Sequence, residues 1–100
     1  MNRTTAKQAI TNRIEQETAN CEIAKQTTKA EALGPLQVRI SVLTWALDAT
    51  LNEIEGHLNL VKIGFDRDVA NPAVRPISLS LTITELRTLQ EAYTIKSHLS

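Results

Sequence analysis

Large apolar residues recur every three or four positions through the middle of the chain: Ile40, Leu43, Leu47, Leu51, Ile54, Leu58, Val61 and Phe65. That step lines one side of a helix and predicts a central helix over 36–63. Gly34-Pro35 stands before it as a helix-ending glycine followed by a first-turn proline, and Gly64 stands at its far end. The preceding stretch, 6–33, opens on Thr5 and Gln8 at capping-box spacing. It carries a thinner apolar side of Ala6, Ile10, Ile14, Cys21 and Ala24, interrupted by Glu17 and Thr28, and reads as the first helix. Periodicity fades over 64–81, where Asp66-Arg67-Asp68, Asn71-Pro72 and Arg75-Pro76 mark a connector. Thr82 with Glu85 then predicts a capped final helix over 83–98, whose apolar side is Leu86, Leu89 and Tyr93 with Ile95 at its border.

These elements predict a single all-α domain over 1–100, a long antiparallel helix hairpin plus a shorter C-terminal helix. The central helix is apolar over more than one stripe near its start, where Val38, Leu43, Trp45, Ala46 and Leu47 take several angular positions, so it should touch more than one helix. Two hairpins pairing as an intermolecular bundle would cover such a surface. A homo-oligomer is therefore expected, with Leu43, Leu47, Leu51, Ile54 and Leu58 as its interface. Gly56, within a strong helix-forming series, either is tolerated at the surface or lets another backbone approach. Neighbouring His57 fits a surface or hydrogen-bonded helix histidine.

Composition narrows the function classes. The hundred residues balance eleven Lys and Arg against eleven Asp and Glu, so there is no basic field to hold nucleic acid. Only Phe65, Tyr93 and Trp45 are aromatic, too few for a base-stacking platform. Cys21 stands alone, which excludes an intramolecular disulfide and points to a reducing, cytoplasmic setting. The first ten residues lack the apolar run of a secretory signal, and no run of about 18 apolar residues predicts a membrane span.

No catalytic constellation, cofactor motif or metal-ligand cluster stands out. Asp66 and Asp68, or Asp48 and Glu55, are carboxylate pairs without the surroundings that would part their protonation, and His57 and His98 are too few for a metal site. The expectation is a non-enzymatic protein-interaction module, a small scaffold, adaptor or inhibitor of a larger machine, with Arg67, Asp68 and Arg75 as partner contacts in the connector. A small-ligand sponge with a site between subunits is a second option. A third comes from Arg75-Pro76-Ile77-Ser78-Leu79-Ser80-Leu81, which alternates like a short strand and precedes a capped helix. Over residues 75–99 this resembles the strand-to-helix portion of ribbon-helix-helix transcription factors. The resemblance implies Ser78 and Ser80 facing bases and Arg75 near a phosphate.

Overall fold

The computed structural model describes residues 4–27 and 30–99, and among them the chain is all-α. Four helices are formed: α1 over Ala6–Gln26, α2 over Ala30–Asp48, α3 over Leu51–Val69 and α4 over Pro76–Leu99. The expected pair of long helices is thus replaced by three shorter ones, and each changed boundary has a local cause.

The first helix ends at Gln26 and not at residue 33. Thr27 closes it, with its amide donating to the Ile23 carbonyl and its hydroxyl to the Ala24 carbonyl. Hydroxyl competition of this kind disfavours continuation. Thr28 and Lys29, which the expected helix included, lie outside the described residues. Gly34-Pro35 falls inside α2 rather than before it. Pro35 forfeits one backbone donor in the second turn. Gly34 is a site of close approach, since a Cβ there would lie 3.4 Å from Leu81 Cδ2 of α4.

The expected central helix breaks at Ala49-Thr50. Thr50 Oγ1 accepts from the Glu53 amide at 3.1 Å, and Glu53 Oε1 accepts from the Thr50 amide at 3.1 Å, a complete capping box. Helix α3 then runs past Gly64 to Val69. The last helix starts at Pro76 rather than residue 83, with the Arg75 carbonyl accepting from the Ser78 and Leu79 amides. Thr82 lies within it and turns its hydroxyl back to the Ser78 carbonyl. The segment that alternates like a strand is therefore the opening of α4, and the likeness to ribbon-helix-helix factors has no strand to rest on.

Helix α4 is the hub, packed against each of the other three. Its run is parallel to α2, as shown by Gly34 beside Leu81, Arg39 beside Thr88 and Glu91, and Lys96 beside Leu47 and Ala49. Helix α1 runs antiparallel to α2, pairing Lys7 with Asp48 and Glu17 with Arg39, and so antiparallel to α4; α3 runs back along α4, with Ile54 in the cluster that holds Ala92 and His57 meeting Glu85. The Cα atoms span 52 × 36 × 15 Å. The thin dimension holds two helix layers, given interaxial distances of about 8–10 Å. No helix among the described residues is long and apolar enough to cross a membrane.

The core gathers at one end, where Ile10, Leu43, Ala46, Ala49, Ile54 and Ala92 form a buried cluster flanked by Ile14, Leu47, Tyr93 and Ile95. Ile10, Leu43, Ile54 and Leu89 have no exposed surface, and each such side chain stabilises the fold by about 1.5–3 kcal/mol. Beside this cluster α1, α2 and α4 are bolted together by charge. Arg39 of α2 lies 3.2 Å through Nε from Glu17 Oε1 of α1 and 3.0 Å through Nη2 from Glu91 Oε2 of α4. Its Nη1 donates to buried Thr88 Oγ1 at 3.3 Å, and Thr88 passes a 2.7 Å hydrogen bond to the Thr84 carbonyl. Arg13 completes the cluster, donating to Glu91 Oε1 at 2.6 Å. Burial disfavours the Arg39 charge, but hydrogen bonding and attraction from Glu91 and then Glu17 outweigh it and raise its pKa. A raised cationic pKa means that the contribution is fully present below the ordinary arginine range and is lost only above it, so this cation holds its charge at any working pH.

At the same end Lys96 Nζ donates to the Leu47 and Ala49 carbonyls at 3.0 and 2.8 Å, closing the C-terminus of α2 with a positive charge. Replacing Arg39 by Met should cost about 2–4 kcal/mol in urea unfolding, because buried Glu17 would lose its cation and half-buried Glu91 would keep only Arg13. Thr50→Ala should cost about 1 kcal/mol through the lost cap.

Candidate interaction surface

Helices α2 and α3 both rest on α4 but part from each other away from the core. A groove of about 480 Å³ opens between them, lined by Gly34, Val38, Ser41 and Trp45 of α2, His57 of α3, and Leu81 of α4, with Gln37, Val42 and Glu85 completing its wall. Arg39 decides which residues of α2 face it. Val38 and Trp45 lie about 100–120° round the helix from Arg39, so drawing Arg39 inward turns those two toward α3. The breadth of apolar positions near the start of the predicted central helix thus resolves into two faces. Leu43 and Ala46 fill the core, while Val38 and Trp45 wall the groove.

Across the groove, the Trp45 and His57 rings meet at a centroid distance of 5.0 Å and an interplanar angle of 48°. His57 Nε2 lies 3.4 Å from Glu85 Oε1 on α4. The imidazole thus bridges an aromatic wall and an acidic floor group, and this clasp joins the last turn of α2 to the second turn of α3. Trp45 nevertheless stays 41% exposed. Chemically the groove offers an aliphatic and indole wall, a hydroxyl, an amide and one carboxylate, a set that suits apolar side chains with a few polar anchors.

A second apolar surface borders the groove on α3. That helix turns Ile54, Leu58, Val61 and Phe65 inward, buried or half-buried, whereas Leu60 and Ile63 are 69% and 67% exposed. Gly56 and Gly64 lie on the same side, one turn before and after Leu60. A Cβ at either would meet no atom within 4 Å, so neither glycine is needed for packing within the chain.

The residues expected to form an oligomer interface are distributed differently. Leu43 and Ile54 have no exposed surface and are enclosed by their own chain, Leu47 packs half-buried against the core, and Leu51 and Leu58 are half-buried. The helical period correctly marks them as inward-facing, but Leu43 and Ile54 face other helices of the same molecule. Of the expected partner contacts, Arg67 is an exposed side chain in the last turn of α3, its Nε 3.6 Å from half-buried Asp68. Arg75 is exposed and supplies the carbonyl that opens α4. The three sit at the α3–α4 bend and do not join the groove lining. Sequence reasoning missed the groove itself. Its signal was the Val38 and Trp45 pair seven residues apart on a second stripe, combined with the Thr50 and Glu53 cap that folds α3 back beside them.

Gly56→Ala and Gly64→Ala should each raise the stability of the monomeric fold by about 0.5–1 kcal/mol, read as a higher thermal midpoint under dilute conditions, because each trades a helix-interior glycine for alanine in open space. Comparison of the chain with protein-family models, with curated proteins and with solved structures finds no match.

Proposed function

We propose that the chain is a non-enzymatic protein-interaction module, a small scaffold, adaptor or inhibitor, whose contact surface is the α2–α3 groove and the adjoining outer side of α3. The observation that carries this reading is an apolar groove left open, with Trp45 at its wall and exposed Leu60 and Ile63 further along the helix that supplies His57. Aromatic and aliphatic groups exposed together beside a groove are what a partner's side chains would remove from water. Trp45 is the natural anchor, since indoles are enriched among the residues that carry binding energy. Ser41, Gln37 and Glu85 supply polar groups that would fix the partner's register.

The test is site-specific photo-cross-linking in the cells that express the protein. A photoreactive side chain at Ser41, inside the groove, should give protein adducts that an identical group at Asn59, turned away from the groove and about 100° round α3 from Leu60, does not give. Trp45→Ala should reduce the Ser41 adducts about tenfold while leaving the helical signal in circular dichroism intact. Equal adduct patterns at Ser41 and Asn59 would contradict the reading.

A further inference from the structure

The outer side of α3 is arranged symmetrically about Leu60. Gly56 and Gly64 lie four residues before and after it, and Glu53 and Arg67 seven residues before and after it. In a helix these positions share one stripe, because seven residues return within about 20° and four residues stay on the same side. At the centre is Leu60, 69% exposed, with Ile63, 67% exposed, beside it. The flanking glycines have open space where a Cβ would point. At the ends stand an acid in the first turn and a base in the last turn of the same helix.

From this we infer that α3 pairs with α3 of a second copy of the chain, antiparallel, about a twofold axis passing near Leu60. This rests on the reading of this side of the molecule as a protein-contact surface, and it names the occupant. In an antiparallel pair centred on Leu60, a residue k positions after the centre faces one k positions before it on the other chain. Gly64 then faces Gly56, and Arg67 faces Glu53, each match occurring twice. The charge pattern is self-complementary in that register. In a parallel pairing Glu53 would meet Glu53 and Arg67 would meet Arg67, so charge selects the antiparallel arrangement. A twofold interface needs such self-complementarity.

The glycines acquire a purpose in this arrangement. Small residues flanking a contact let two helices approach closely, and glycine facing glycine on both sides of the Leu60–Leu60 contact removes the side chains that would hold the backbones apart. Within one chain the same glycines cost about 1 kcal/mol each relative to alanine and return nothing. The axis lies at the groove's rim, because His57 of the lining precedes Leu60 by one turn on the same side of α3. This interface differs from the core leucines expected from periodicity: Ile54 is buried against its own chain, and Leu60 is not.

Sedimentation equilibrium of the full chain should give a dimer at about 50 µM, and Leu60→Glu should weaken it roughly a hundredfold or more by placing like charges at the axis. Gly56→Ala with Gly64→Ala should weaken the dimer about tenfold or more while raising the thermal midpoint of the dilute monomer. That opposition of sign separates a packing role from general destabilisation. In a Cys21→Ser background, Leu60→Cys should form an interchain disulfide under mild oxidation, and Asn59→Cys should not. A monomer at every concentration reached, a dimer indifferent to Leu60→Glu, or equal cross-linking from positions 59 and 60 would overturn the pairing. A monomer whose Ser41 position still photo-cross-links to another protein would overturn the dimer and leave the interaction-module reading standing. A dimer formed as described but without groove-specific adducts would support the pairing and remove the groove from the contact surface.

Discussion

Arg39 and the acids around it are the constraint on which the rest of the structure depends. One guanidinium is shared by Glu17 on α1 and by Glu91 and Thr88 on α4. Its planar fork accepts only a narrow range of helix rotations. Apolar packing alone would allow the aliphatic and alanine core to slide or rotate, since Ala46, Ala49 and Ala92 present little shape to interlock. The ion cluster removes that freedom, and Lys96 on the last carbonyls of α2 fixes the axial position. With α2 held in this rotation, Val38 and Trp45 have no place in the core and are delivered to the groove. Burying such a cluster is not by itself a gain in stability over an apolar replacement. Its physical contribution is the choice of one rotation over others.

The all-α class, the inward side of each helix and the location of the last bend were legible in the chain, because they depend on periodicity and on proline and glycine punctuation. The helix count was not. The seam from Ile40 to Phe65 keeps its three- and four-residue step across Ala49-Thr50, since the helices on both sides of the break turn that stripe inward, and an apolar period is blind to a two-residue interruption that preserves facing. The polar grammar held the answer: Thr50 and Glu53 stand at the same spacing as Thr82 and Glu85, yet only the former cap a helix. What separates the two pairs is tertiary. Pro76 starts α4 a turn and a half before Thr82, leaving that threonine inside a helix already formed.

The surface was harder still to see. Leu43 and Ile54 have the same local pattern as an interface leucine, and only the return of α3 over α4 shows that their own chain covers them. Leu60 and Ile63 fall outside the regular seam, and exclusion from the intramolecular seam is what a side chain reserved for another molecule would show. Gly56 stood in the sequence as either a tolerated surface glycine or a point of close approach. The open space beside it shows that no backbone of its own chain approaches.

The most direct test is an isotope-mixed nuclear Overhauser experiment, in which carbon-13-labelled chains are combined with unlabelled ones and only interchain contacts are detected. The account predicts cross-peaks from the Leu60 methyl groups of one chain to the α-protons of Gly56 and Gly64 and to Leu60 of the other. Interchain peaks confined to a different face, such as that of exposed Ile23 on α1, or none at millimolar protein, would contradict it.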